Sequence, residues 1–121
     1  MSNSYRDLTV WRKAIEAVTL VYRLIESFPK HELYGLTSQM RRAAVSIPSN
    51  IAEGQGRNSS KEFLHFLGNA KGSLVELETQ IVIAGNLKYL DNSNTEEMTT
   101  RLDEVSRLLN GLMKKLMLSN N

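Results

Sequence analysis

At 121 residues, with a formal net charge of +2 and 23% charged residues, the chain fits one domain spanning 1–121, able to bury roughly two-thirds of its unfolded surface without staples. It contains no cysteine, which excludes cystine bridges, thiolate metal sites and cysteine nucleophiles and suits a reducing compartment. The start, Met-Ser-Asn-Ser-Tyr-Arg-Asp, has no basic segment leading into an apolar run, and no window is apolar for long enough to span a bilayer. A cytoplasmic protein without a membrane partner is expected.

Four helical segments account for the rest, at about residues 8–27, 32–52, 60–86 and 95–117. Asp7 is the expected cap of the first, and Phe28-Pro29 stops it, because the residue before proline is pushed out of helical geometry. That helix carries two apolar seams, Leu8, Trp11, Ile15, Val18, Tyr22 and Ile25 beside Val10, Ala14, Ala17, Val21 and Leu24. A helix lining one core needs one seam, so the second suggests a subunit contact.

The second helix has an apolar stripe of Leu36, Met40, Ala43, Ile47 and Ile51 beside a polar stripe of Gln39, Arg42, Ser46, Asn50 and Glu53. Pro48 inside it predicts a kink, and Gly54-Gln55-Gly56 predicts a left-handed stop. Ser59 and Glu62 form a capping-box pattern opening the third helix, whose core stripe is Phe63, Leu67, Ala70, Leu74, Leu77, Ile81 and Ala84. Gly68 and Gly72, four apart, suggest a face that another backbone approaches closely. Asn94, supported by Glu97, is the expected cap of the fourth helix, with Met98, Leu102, Val105, Leu109, Leu112 and Leu116 as its seam. Short connections between such helices predict an all-α, antiparallel up-and-down four-helix bundle.

Signals for chemistry are sparse. Glu62-x-x-His65 has the spacing of di-iron carboxylate bundles, yet those sites need a second such pair and two more glutamates, and Glu62 is accounted for by capping. No nucleophile elbow, phosphate-binding glycine loop or metalloprotease motif is present. The expectation is therefore no enzyme, no catalytic residue, no metal and no cofactor. The polar stripe of the second helix has a counterpart in Asn69, Ser73, Glu76 and Gln80 of the third. An Arg42–Glu76 pair would make these stripes a register-fixing network; left open, they would line a polar passage.

The stretch from Tyr34 to Phe63, then Lys61-Glu62-Phe63-Leu64 and Ala70 through Gln80, together with Leu8, Val10-Trp11, Lys13-Ala14 and Phe28-Pro29, resembles the small bacterial "four helix bundle protein" family. Its founding members are encoded in intervening sequences of large-subunit ribosomal RNA genes. The resemblance covers nearly the whole chain and implies a homo-oligomeric ring, with a pentamer as first guess. It also implies kinship with the accessory variability protein of diversity-generating retroelements, which binds nucleic acid and a reverse transcriptase.

Residue chemistry and resemblance share one functional expectation, binding of RNA or DNA backbone through Arg12, Lys13, Arg41, Arg42, Arg57 and Lys61. Arg41, Arg57 and Lys61 are expected to converge near the turn between the second and third helices. Trp11, Tyr22 and Phe63 read as core, which argues against base stacking. The alternative is a scaffold that docks a polymerase or other protein without touching nucleic acid.

Overall fold

The computed structural model describes residues 4–119. Four helices dominate: α1 (Thr9–Ile25), α2 (Leu36–Gln55), α3 (Ser60–Asn86) and α4 (Asn92–Ser119), with short 3-10 turns at Tyr5–Asp7 and Lys30–Glu32. No strand occurs among the described residues. Cross-helix pairs fix the directions. Ser73 Oγ donates to Ser46 Oγ at 2.8 Å, while Gly54 lies against Phe63 and Phe66, so α2 and α3 run antiparallel. Lys13 faces Glu104 and Arg101 faces Glu16, which makes α4 antiparallel to α1. Arg41 over Tyr22 does the same for α1 and α2, and Gly85 against Thr95 for α3 and α4.

The core is the set of seams facing inward. Val10, Ala14, Ala17, Val21 and Ile25 come from α1, and Met40, Ala43, Ala44, Ile47 and Ile51 from α2. Leu67, Ala70, Leu74, Leu77, Ile81 and Ala84 of α3 meet Met98, Leu102, Val105 and Leu109 of α4. Each fully buried leucine contributes about 1.5–3 kcal/mol relative to exposure. Of the two seams on α1, the alanine-rich one turns inward, since small side chains let the helices approach. The other is only partly covered: Ile25 is buried, Leu8, Trp11 and Val18 pack half-buried against the core, and Ile15 and Tyr22 are 36% and 39% exposed.

Several predicted ends shift, each for a local reason. Asp7 belongs to the first 3-10 turn and does not cap α1; Leu8 holds the extended N-cap conformation with no side-chain bond. α2 begins at Leu36 rather than near residue 32, because residues 30–32 wind as a separate turn whose Glu32 Oε1 accepts from Leu36 N at 3.1 Å. It passes unbroken through Pro48 and ends at Gln55. No glycine among the described residues has a positive φ, so the expected left-handed stop is absent. The positive φ instead belongs to Lys88, at 66°, where Tyr89 N donates back to Ala84 O and closes the end of α3. Asp91, not Asn94, caps α4, accepting from Asn94 N at 2.7 Å. Ser59 does open α3, accepting from Glu62 N at 3.1 Å.

Candidate nucleic-acid interface

Antiparallel packing sorts the charges by end. The start of α1, the α2–α3 corner and the close of α4 lie together, which gathers Arg6, Arg12, Arg57, Lys61, Lys114 and Lys115 at one end of the bundle. Its carboxylates are Asp7, Glu53 and Glu62. The opposite end, formed by the α1–α2 and α3–α4 connections, carries Glu26, Glu32, Asp91, Glu96 and Glu97 against Arg23, Lys30 and Lys88. A mildly basic chain thus has one clearly basic end.

Each cation there has a distinct setting. Arg12 Nη1 donates to Arg6 O at 2.9 Å, tying the first 3-10 turn to α1. Arg57 lies 2.6 Å from Glu53 Oε2, and its guanidinium sits 4.7 Å from the Phe66 ring centroid, so it is both ion-paired and stacked. Lys61, exposed in the first turn of α3, has no carboxylate within ion-pair distance among the described residues.

The other three sequence candidates lie elsewhere. Lys13 is 3.8 Å from Glu104 and 3.9 Å from Glu16, part of an α1–α4 network completed by Arg101 with Glu16 and Glu97. Pairs this exposed contribute about 0–1 kcal/mol each. Arg41 sits in the second turn of α2, roughly 20 Å along the helix from the α2–α3 corner at 1.5 Å per residue. It does not converge with Arg57 and Lys61; instead it is half-buried, 5.8 Å from the Tyr22 ring centroid, with Nε unpaired. Arg6, Lys114 and Lys115 lie outside the six candidates, and the signal that finds them is topology rather than motif.

Arg42 belongs to the meeting of the two polar stripes. Besides the Ser46–Ser73 bond, Asn50 Nδ2 donates to Ser46 O and Oγ at 2.8 and 2.9 Å. Above this cluster a cleft of about 240 Å³ is lined by Gln39, Arg42, Ala43, Ser46, Ser73 and Glu76. Arg42 and Glu76 stand on opposite walls without an ion pair, so the polar link between α2 and α3 here is the hydroxyl pair Ser46–Ser73, with Asn50 holding Ser46 from its own helix. Ser46 is fully engaged there. Glu62 is likewise engaged, its Oε2 accepting from Ser59 Oγ at 3.2 Å, and no group of three or more potential metal ligands occurs among the described residues.

A family profile described as 23S rRNA-intervening sequence protein matches residues 6–111, which takes in α1, α2, α3 and most of α4. The chain belongs to that family. No curated protein matches it. Membership in the 23S rRNA-intervening sequence proteins agrees with the four-helix fold seen here. Among the described residues of this family member, no helix is long and apolar enough to cross a membrane.

Proposed function

We propose that this protein is a non-enzymatic, cytoplasmic nucleic-acid-binding module that works as a homo-oligomeric ring, contacting RNA or DNA backbone with its basic end. The observation that carries the reading is the segregation of charge along the bundle axis, with Arg6, Arg12, Lys61, Lys114 and Lys115 at one end and the carboxylates concentrated at the other. A ring would repeat that end several-fold, with five copies as the first expectation. Self-association is supported by two separate apolar exposures, Val75 and Val82 on α3 and Met117 and Leu118 on α4. A cyclic assembly needs two different patches of this kind. The same exposures favour the competing reading, a scaffold for a polymerase or other protein.

The test replaces Arg12, Arg57 and Lys61 together by glutamine and measures binding to duplex DNA and structured RNA at several salt concentrations. Each lost phosphate contact should flatten the slope of log affinity against log salt by about 0.7 to 0.9, with no change in sequence preference. Helicity and light scattering are followed in parallel. A wild-type protein with no salt-dependent binding to either ligand removes the reading in favour of the scaffold, and a monomer at micromolar concentration removes the ring.

A further inference from the structure

Tyr5 stands edge-on to Trp11, with ring centroids 5.1 Å apart and planes at 66°. The 3-10 turn carrying Tyr5 is held against α1 by the Arg12 bond to Arg6 O and by Leu8 N donating to Tyr5 O at 3.0 Å. Between this aromatic pair and α2 runs a groove in two connected parts. The inner part, about 300 Å³, has Trp11, Val18 and Pro48 in its walls. The outer part, about 520 Å³, opens onto Glu53, Gly56 and Arg57. Tyr5, Ser49 and Ala52 line both. Both parts are shallow and open to solvent, which suits a ligand laid along the surface rather than one enclosed.

An apolar floor with flat aromatic walls and an arginine mouth is chemically matched to a ligand that is a flat ring at one end and an anion at the other. We propose that this groove takes an unstacked nucleotide of a single strand. The base would lie against Tyr5 and Trp11, and its phosphate would be met by Arg57 and by Arg6, whose guanidinium lies 5.8 Å from the Tyr5 ring centroid. At the mouth Arg57 is paired with Glu53 at 2.6 Å, so the phosphate would meet Arg57 in exchange for this solvent-exposed ion pair. Half-burial of Trp11 is what opens this site; a tryptophan fully committed to the core would leave no wall for a base. A peptide or a second copy could cover the apolar floor equally well, but neither calls for arginine at the mouth beside an already basic end. The inference rests on the nucleic-acid reading above and adds to it a preference for unpaired over duplex strands.

Trp11 is the sole tryptophan, so its emission reports directly on the groove. The full chain is titrated with a short single-stranded RNA and with a duplex of equal phosphate number, following Trp11 emission and, with labelled strands, anisotropy. Single strand is expected to quench Trp11 where duplex does not. Tyr5→Ala should weaken single-strand binding by about 5- to 150-fold, the usual effect of removing one stacking aromatic, and leave duplex binding unchanged. Tyr5→Phe should retain binding. Ser49→Phe, which fills the groove from an exposed position, should reproduce the loss with helicity intact. Single-strand binding that survives both Tyr5→Ala and Ser49→Phe, or that leaves Trp11 emission unchanged, overturns the site while the backbone-binding reading stands. Absence of binding to either strand form overturns both. Trp11 emission that shifts with protein concentration alone, without nucleic acid, assigns the groove to a second copy and overturns the proposal.

Discussion

At the end formed by the α1–α2 and α3–α4 connections, polar groups are spent on one another. The Tyr89 hydroxyl donates to Glu32 Oε2 at 3.0 Å, His31 Nε2 lies 3.3 Å from the Tyr89 hydroxyl oxygen, and Glu32 Oε1 accepts from Leu36 N. Phe28 stacks at 5.3 Å against the Tyr89 ring, so two loops distant in sequence become one cross-linked unit. The α2–α3 corner at the opposite end is closed by steric fit instead: Gly54 lies against the Phe63 and Phe66 side chains, Arg57 covers Phe66, and Lys61 points into solvent. An end that consumes its charges locally stabilises topology. An end closed by packing leaves Lys61 available to a ligand, with Arg57 held there only by an exposed pair.

The largest expected effect breaks the packed end. A Cβ on Gly54 would stand 2.8 Å from Phe66 Cβ and 2.9 Å from Phe63 Cδ1, with Phe63 O at 3.2 Å, so α2 and α3 would have to part. Overpacking of this kind costs about 1–3 kcal/mol, while alanine near the end of a helix recovers at most about 1 kcal/mol. Gly54→Ala should therefore lower the urea midpoint and loosen the corner that presents Arg57 and Lys61. An unchanged or raised midpoint would show that this end is not closed by close fit.

Gly68 and Gly72 sharpen the comparison, because they lie on the same helix as Phe63 and Phe66 yet have nothing within 4 Å of a built Cβ. Their spacing suggests close approach of a neighbouring backbone, but within this chain they face open space. Gly68→Ala should stabilise the fold by about 0.5–1 kcal/mol, and Gly72→Ala by a similar amount, both read as raised urea midpoints. Intolerance of alanine would then be a property of the corner and not of glycines on α3. If the midpoint rises while the assembly dissociates, the smooth face of α3 is a subunit contact.

What was legible in the sequence follows from how local the determinant is. The bounds of α3 came through because Ser59 and Glu62 cap within four residues, and the inward seams of α2, α3 and α4 came through because burial repeats with the helical period. Glu32 capping α2 from an upstream turn, and a lysine rather than a glycine at the positive φ of residue 88, depend on contacts with Leu36 and Ala84 that no residue-type preference encodes. Periodicity exposed two seams on α1 but could not say which one the bundle covers, so Trp11 read as core. The candidate site was less legible still. Arg12, Arg57 and Lys61 share an end only because the helices alternate direction, and Arg41, adjacent to Arg42 in sequence, turns instead toward Tyr22.

The smallest expected effect tests the polar end, and its signature is pH rather than size. Glu32 is held below the ordinary carboxylate range, chiefly by the Leu36 N–H, then by the Tyr89 hydroxyl, with a further contribution from His31. A carboxyl with a depressed folded-state pKa binds fewer protons when folded than when unfolded. Its stabilisation is thus complete above the unfolded pKa and is lost as pH falls through the folded one. Tyr89 is displaced upward, first by burial and then by its bond to Glu32, so its own contribution is present at neutral pH and lost only as alkali removes the phenolic proton. Tyr89→Phe keeps the ring against Phe28 and removes only the hydroxyl. The melting temperature of this variant should lie below that of the wild type near neutrality, and the gap should close as acid takes the pH below the ordinary carboxylate range and through the depressed folded pKa of Glu32. A gap that stays constant from neutral to strongly acidic pH would mean that the hydroxyl acts through packing alone, and the contrast between a bonded end and a packed end would collapse.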